Sequence, residues 1–181
     1  MPPNRPQIRR LNEWEMDEGL RQQAEALLQA CFTGYPARSY FKLPPHERYV
    51  ATLGDTVVAH VGIEHRVIRV GELIVKVLGI VDLCVSETHR SSGIATSLLG
   101  EITRHAQRCG VDFVILFADK YELYLRAGWT LVDNRCSWVK IDEHHTLGMT
   151  TETSLADCMM VKPIGDRPWP PGDVDMLGHV F

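Results

Sequence analysis

The stretch 78-LGIVDLCVSETHRSSGIATSLLGEI-102 decides the fold. Its first part, residues 78–86, is an apolar run of the kind that forms a buried strand. Its last part has apolar residues at helical spacing, and these are Ile94, Leu98, Leu99 and Ile102. A polar, basic turn that contains Gly93 lies between the two parts. Because the first N–H groups of a helix have no partner within it, such a turn can bind a phosphate.

Composition narrows the class of protein. The chain has 181 residues, of which 45% are hydrophobic and 23% charged, as is usual for a soluble globular domain. We expect a single domain over residues 1–181. The net charge of -4 gives no broad basic field, so we expect no nucleic-acid partner.

Cysteine spacing and hydropathy indicate whether the chain binds a metal, crosses a membrane or occupies an oxidising compartment. The five cysteines are widely spaced and contain no CxxC pair, so we expect no metal site and reduced thiols. No apolar stretch approaches the roughly 18–20 residues that a membrane span needs, so no membrane partner is expected. The N-terminus lacks an apolar signal segment. These features favour a cytoplasmic protein.

The first half of the chain predicts a strand, a helix and an antiparallel meander. Residues 7–11 form a candidate strand, and residues 15–32 have helical apolar spacing. Long β-branched runs then follow one another, separated by a Gly-Asp turn and by Gly71. The predicted strands of this meander are 48–54, 56–70 and 72–86.

The second half predicts a parallel unit and closing strands. A helix over 92–109 joins strand 72–86 to a buried strand over 111–118, so these two strands should be parallel. The remaining predictions are a helix over 119–128, a hairpin of 130–133 with 135–141 around Asn134, a strand over 157–164, and a Pro/Gly-rich tail over 165–181. The fold class is therefore α+β, with a mixed, mostly antiparallel central sheet flanked by helices and a parallel βαβ unit at the anion-binding turn.

This element order resembles the GCN5-related N-acetyltransferase (GNAT) superfamily. The superfamily signature, Arg/Gln-x-x-Gly-x-Gly/Ala, is matched by RSSGIA at residues 90–95. A second segment, YELYLRAGW at residues 121–129, resembles the later helix in which a tyrosine precedes a glycine turn into a strand. The resemblance covers roughly residues 7–164. It implies an acetyl-CoA-dependent N-acetyltransferase in which a neutral primary amine attacks the thioester directly, in a ternary complex.

The resemblance also implies which residues hold coenzyme A. The pyrophosphate would bind the N–H groups of the turn, and the pantetheine arm would bind the main chain at the end of the preceding strand. Without the resemblance, the same turn would read as an ordinary capped helix start, and the strand end as core. The cofactor-binding residues so implied are Leu83, Cys84, Val85, Arg90, Ser91, Ser92, Gly93, Ile94 and Ala95.

Asp82 and Tyr124 are the candidate catalytic residues. Asp82 interrupts an apolar run. The segments VVAHVGIEHRVIRVGE at residues 57–72, GIVDLCVS at 79–86 and LGHVF at 177–181 resemble aminoglycoside 2'-N-acetyltransferases. That resemblance implies that Asp82 matches a glutamate that assists amine deprotonation through water. Asp82 could equally be a buried aspartate that ties down a loop, with Glu64 or His65 as alternative bases. Tyr124 would protonate the CoA thiolate, or its ring would only pack the helix, with Tyr121 as the fallback acid.

The acceptor pocket is implied by a looser resemblance to aminoglycoside 2'-N-acetyltransferases and nodulation-factor N-acyltransferases. It would be built from the loop after the first helix and from the C-terminus, where Asp173 and Asp175 are further candidates. The loop carries Arg38 and Lys42 but no acidic cluster, so a less cationic or partly apolar amine fits as well as an aminoglycoside. The candidate acceptor residues are Tyr35, Tyr40, Phe41, His179 and Phe181.

Several functions stay open on the sequence alone. The first is acetyl transfer to a primary amine of a small molecule, with an aminoglycoside-like acceptor among the options. The alternatives are a longer-chain N-acyltransferase, a non-catalytic CoA-binding module, and an enzyme that acetylates protein amino groups in an open groove. A homodimer is left open as well.

Overall fold

The computed structural model describes residues 5–152 and 154–181. The helices are α1 (Glu18–Cys31), α2 (Ile94–Cys109) and α3 (Glu122–Arg126). The strands are β1 (Gln7–Asn12), β2 (Glu47–Leu53), β3 (Thr56–Val70), β4 (Leu73–Val85), β5 (Phe113–Phe117), β6 (Thr130–Leu131), β7 (Cys136–Asp142), β8 (His145–Glu152), β9 (Met159–Pro163) and β10 (Val174–Asp175). No helix in the described ranges has the length and apolar character needed to cross a membrane.

The strands pair in a mixed, mostly antiparallel sheet, as predicted. Their order is β6-β9-β5-β4-β3-β10-β7-β8, and β2 pairs with both β1 and β3. The predicted parallel unit is confirmed, since β4 and β5 pair in parallel from Val77↔Phe113 to Gly79↔Ile115. The fold class is therefore α+β, with the two strands of the βαβ unit linked through α2.

The described chain forms two compact units, and β3, β4 and α2 contribute residues to both. The first unit comprises the chain up to Glu64 together with Val81–Gly100. In it α1 begins after Asp17, whose side chain accepts a hydrogen bond from the Leu20 N–H at 2.8 Å. One buried cluster of this unit consists of Leu11, Met16, Leu20, Ala24, Leu27, Leu28, Val50, Val57 and Cys84. The single domain over residues 1–181 that the length favours stays a prediction.

The second unit comprises His65–Ile80 and Glu101–Phe181. Its buried cluster draws side chains from six strands, including β10 in the Pro/Gly-rich tail. The members of the cluster are Ile68, Val70, Val75, Val77, Phe113, Ile115, Cys136, Met159, Val161, Val174 and Met176.

The predicted hairpin around Asn134 is wrong. β6 pairs with β9, and β7 pairs with β8 and β10. Asn134 does not form a tight turn, because its side chain binds the C-terminal tail. Its amide donates to the Gly172 carbonyl at 2.6 Å and accepts from the Trp169 indole at 2.8 Å.

Two strands were missed in the sequence. The apolar alternation of β8 is limited to Leu147 and Met149, and all residues of the strand except Thr150 are exposed. β10 lies within the tail, where its two residues pair with β3 on one side and β7 on the other. Val174 in this short strand is fully buried, so the tail is part of the fold and not an appendage.

The C-terminal residue packs against a glycine of β4. A Cβ built on Gly79 would lie 1.9 Å from Cδ1 of Phe181, so no side chain other than hydrogen fits at this position. The Phe181 ring thereby covers the backbone at the residue where the β4–β5 pairing ends.

We predict that Gly79→Ala lowers the free energy of unfolding by about 1–3 kcal/mol, because the added methyl group displaces the Phe181 ring. Urea denaturation measures this change. The matched control is Gly165→Ala, since a Cβ on Gly165 meets no atom within 4 Å. In a Phe181→Ala background the cost of Gly79→Ala should shrink, and equal costs in both backgrounds would contradict the packing argument.

Candidate active site

The extended backbone of β4 is interrupted at Asp82, the residue predicted to be the base, and we call this position the kink of β4. Asp82 has a φ of 53°, a left-handed conformation that is uncommon for a residue other than glycine and lies here inside a strand. Beyond it, the side chains of Leu83 and Val85 are half-buried, and Cys84 is buried in the core of the first unit. The Ser86 N–H returns to the Val58 carbonyl at 2.8 Å, which fixes the end of the strand.

The Asp82 carboxylate is held by a tyrosine of the acceptor loop, which we define as Thr33–Pro45. The Tyr35 hydroxyl donates to Oδ2 of Asp82 at 2.6 Å. Burial raises the pKa of Asp82, and the hydrogen bond from Tyr35 and the charges of Arg48 and Lys42 offset only part of that rise. The structure therefore brings together one predicted acceptor residue and the predicted base.

The other two predicted loop residues lie beside this pair. The Phe41 ring is 5.6 Å from the Tyr35 ring, at a tilt of 50°. Tyr40 stacks with Arg38, whose guanidinium carbon lies 5.2 Å from the ring centroid. All three aromatic side chains of the loop are thus fixed by contacts within the first unit.

A fully buried arginine, missed in the sequence, organises the same region. Arg48 on β2 donates from Nε to Glu13 at 2.5 Å and from Nη1 to the Ser39 carbonyl at 2.6 Å. Glu13 also accepts from Arg21 at 2.7 Å. The sequence shows Arg48 at the start of the run RYVAT, directly after Glu47, and the structure shows that this charge is compensated.

His60 links the arginine to the kink in β4. Its Nε2 lies 2.9 Å from Nη1 of Arg48, and its Nδ1 lies 3.2 Å from the Asp82 carbonyl oxygen. Because an arginine can only donate, Nε2 must accept, and the proton of the neutral ring sits on Nδ1, where it donates to Asp82. Burial and the Arg48 charge lower the pKa of His60 to about 3, which keeps the ring neutral.

The turn after β4 has open space at the start of α2. Ser91 and Gly93 have φ values of 61° and 83°, and a Cβ on Gly93 would meet nothing within 4 Å. The Ser97 N–H donates to the Gly93 carbonyl at 3.0 Å, so the N–H groups of residues 94–96 lie ahead of this hydrogen bond at the start of the helix. Arg90 and residues 91–93 are exposed, whereas the Ile94 side chain is buried and Ala95 is half-buried. Exposed backbone donors beside an arginine fit the pyrophosphate of coenzyme A.

Tyr124 lies on α3 in the second unit. Burial raises the pKa of its hydroxyl, so the phenol keeps its proton at neutral pH. Its ring meets Trp129 edge-to-face at 5.9 Å, and its carbonyl accepts from the Trp129 N–H at 3.1 Å. Lys162 closes the turn by donating to the Ala127 carbonyl at 2.6 Å. Tyr121 occupies the N-cap position of α3 without a side-chain capping bond.

The predicted C-terminal acceptor residues lie together in the second unit. Arg66 on β3 donates from two nitrogens to the His179 carbonyl, and its guanidinium lies 4.4 Å from the Phe181 ring centroid. Asp175, a further candidate, pairs with Arg69 at 3.5 Å. His65, an alternative base, contacts the His105 ring edge-on at 5.9 Å.

A family model described as an acetyltransferase (GNAT) domain matches residues 7–132 of the chain. The chain belongs to the GNAT family. The predicted family and fold are therefore confirmed, and with them the expected enzyme class, an acetyl-CoA-dependent N-acetyltransferase. No curated protein matches the chain.

Solved structures with the same fold include GNAT proteins bound to their cofactor. YhbS from Escherichia coli, a GNAT family N-acetyltransferase in complex with CoA, is 21% identical, with a TM-score of 0.67 over 97% of this chain and 92% of that chain. A GNAT family acetyltransferase from Brucella melitensis in complex with acetyl-CoA is 15% identical, with a TM-score of 0.60 over 94% and 95%. A putative N-acetyltransferase from Lactobacillus plantarum is 18% identical, with a TM-score of 0.59 over 90% and 100%. At these identities the likeness concerns the fold, and the roles of individual residues stay predictions.

We predict that His60 makes the protein less stable in acid. Its pKa is about 3 in the folded chain and 6.5 in the unfolded chain, so its contribution is complete above pH 6.5 and is lost as the pH falls below that value. The free energy of unfolding should fall by up to about 1.4 kcal/mol per pH unit from this group alone.

Urea denaturation at pH 7 and pH 5 measures the effect against His60→Gln, which cannot titrate but keeps an acceptor for Arg48. The variant should show a flatter pH dependence, while His145→Gln, a change at an exposed histidine, should match the wild type. Asp82 is retained in all three proteins and does not affect the comparison. Equal slopes for the wild type and His60→Gln would contradict the assignment of a buried, neutral His60.

Proposed function

We propose that this enzyme transfers the acetyl group of acetyl-CoA to a primary amine of a small molecule, by direct attack in a ternary complex. The observation that carries the proposal is the Asp82 carboxylate, held by the Tyr35 hydroxyl at 2.6 Å at the kink of β4. A carboxyl group with a raised pKa is a better proton acceptor for an ammonium than an ordinary surface carboxylate.

The chain's own contribution to cofactor binding would come from main-chain groups. Acetyl-CoA, when bound, would supply an activated acetyl carbonyl and a thiolate leaving group. The N–H groups at the start of α2 would bind its pyrophosphate, with Arg90 adding positive charge. The main chain of residues 83–85 would bind the pantetheine arm and polarise the acetyl carbonyl.

Asp82 would accept the proton of the substrate ammonium through a water molecule. Its Oδ2 is bonded to Tyr35, which leaves Oδ1 for the water. The Tyr35 hydroxyl would also fix the rotation of the carboxylate, so that Oδ1 keeps a constant orientation toward the water. Glu64, the alternative base on β3, is buried in the first unit.

Tyr124 would donate its proton to the departing thiolate. Its raised pKa keeps the phenol protonated and therefore available as an acid. Burial likewise raises the pKa of the Cys84 thiol, which disfavours the thiolate that an acetyl-cysteine intermediate would require. The raised pKa values of Tyr124 and Cys84 therefore favour direct attack by the amine on the thioester.

We predict that Gly93→Ala weakens acetyl-CoA binding by more than about tenfold, because a methyl group would stand between the phosphate and the turn amides. Calorimetric titration measures the affinity. Gly110→Ala is the matched control, since Gly110 also has a positive φ, of 62°, and open space around its Cβ position. Both variants should lose about 1 kcal/mol of stability from backbone strain, and only Gly93→Ala should lose affinity. Equal acetyl-CoA affinities for the two variants would show that the turn does not bind the cofactor.

The same titration also tests the longer-chain alternative. Tighter binding of a long-chain acyl-CoA than of acetyl-CoA would favour a longer-chain N-acyltransferase.

We predict that Asp82→Asn lowers kcat/KM for the amine by about 10²–10⁴-fold, because an amide cannot accept the proton. Acetyl-CoA affinity should be unchanged. In the wild type, kcat/KM should rise with pH through the raised pKa of Asp82, and this limb should be absent from the variant. Asp166→Asn, a change at an exposed aspartate, is the control. An unchanged rate and pH profile would leave Asp82 with a structural role only.

We predict that Tyr124→Phe lowers kcat about a hundredfold while acetyl-CoA affinity stays within about twofold, because the ring is kept and only the proton is lost. Stopped-flow detection of the free thiol measures the step. Tyr121→Phe, three residues earlier, should behave like the wild type. A loss of kcat in Tyr121→Phe but not in Tyr124→Phe would identify Tyr121 as the acid. A wild-type protein that binds acetyl-CoA but acetylates no amine would indicate a non-catalytic CoA-binding module.

A further inference from the structure

An aromatic strip leads away from the Asp82 carboxylate. The rings of Phe32 and Tyr35 are 5.8 Å apart, and the rings of Tyr35 and Phe41 are 5.6 Å apart. The hydroxyl of the central ring is bonded to Asp82. The strip, defined here as Phe32, Tyr35 and Phe41, therefore meets the proposed base at its central ring and has Phe41 at one end.

The outer end of the strip is exposed although its backbone is fixed. Phe41 is 50% exposed, and Leu43, two residues later, is 43% exposed. Arg38 donates to the Tyr40 carbonyl at 3.1 Å and to the Phe41 carbonyl at 2.5 Å, which holds this part of the loop in one conformation. Phe41 thus presents an exposed ring on a backbone fixed by Arg38, one ring away from the tyrosine that holds Asp82.

The charges around Asp82 do not suit a polycation. Arg48 and Lys42 lie near enough to lower its pKa, and Glu64 is the acidic group that raises it. The acceptor loop itself carries Arg38 and Lys42 and no acidic residue. A second or third ammonium on the same substrate would therefore meet cations where it needs carboxylates.

We propose that the acceptor is a primary monoamine with an aromatic or similarly flat apolar body, an inference that rests on the proposed acetyltransferase function. Its ammonium would face Asp82, and its apolar body would lie along the strip against Phe41. Aromatic rings add favourable contact with a flat apolar group and also with the ammonium itself. This choice excludes aminoglycosides and polyamines as the preferred class.

The test compares initial rates of CoA release with three probes: 2-phenylethylamine, spermidine and the aminoglycoside kanamycin. We expect kcat/KM for 2-phenylethylamine to be at least about tenfold higher than for either polycation. The monoamine gains a contact with the Phe41 ring and avoids repulsion between additional ammonium groups and the cations of the loop. Phe41→Ala should raise KM for 2-phenylethylamine about fivefold and leave kcat within about twofold. Leu147→Ala, a change at a 58% exposed apolar residue of β8, is the matched control and should alter neither value.

The outcomes separate this inference from the proposed function. A higher kcat/KM for spermidine or kanamycin, or an unchanged KM in Phe41→Ala, would overturn the monoamine assignment while acetyl transfer stands. If the wild type does not bind acetyl-CoA in a parallel titration, the proposed function fails and the inference fails with it. If acetyl-CoA binds but no probe is acetylated, the binding of 2-phenylethylamine is measured by calorimetry in the presence of CoA. Binding that is weakened by Phe41→Ala would support the monoamine assignment. No binding, or binding that Phe41→Ala leaves unchanged, would overturn it.

Discussion

The first unit depends on a buried positive charge. A guanidinium without solvent is costly by several kcal/mol unless it is paired and hydrogen-bonded, and Arg48 meets that condition through Glu13, Ser39 and His60. Its partners come from the segment after β1, from the acceptor loop and from β3. Through His60 the same cation reaches the Asp82 carbonyl. The conformation of the loop and the kink of β4 are therefore determined by one electrostatic requirement.

The elements that the sequence predicted correctly are those in which the local pattern of apolar residues agrees with their burial in the fold. β3 is a long β-branched run, α2 has apolar residues at helical spacing, and the parallel pairing of β4 with β5 follows from the rule for strand–helix–strand connections. β8 could not be predicted, because its apolar alternation is limited to Leu147 and Met149, and both are exposed. β10 could not be predicted either, because two residues in a Pro/Gly-rich tail pair only when β3 and β7 are already in place.

The same distinction applies to the candidate site. Asp82 was conspicuous as an acid in an apolar run, and Gly93 as a glycine at a helix start, so both could be found locally. The partner of Asp82 could not, since Tyr35 lies 47 positions away in a loop without periodicity. The pairing of Arg48 with Glu13 depends likewise on the β1–β2 register. Long-range polar contacts of this kind follow from the fold, and no sequence window contains them.

Amide hydrogen exchange with and without acetyl-CoA would probe the proposed cofactor site at its main-chain groups. We expect slower exchange in the presence of acetyl-CoA at two places, the strand end at residues 83–85 and the turn at residues 91–96. The C-terminal turn of α2, near Gly110, serves as an internal reference and should not change. Slower exchange confined to other segments, or no change at saturating acetyl-CoA, would contradict the proposed cofactor site.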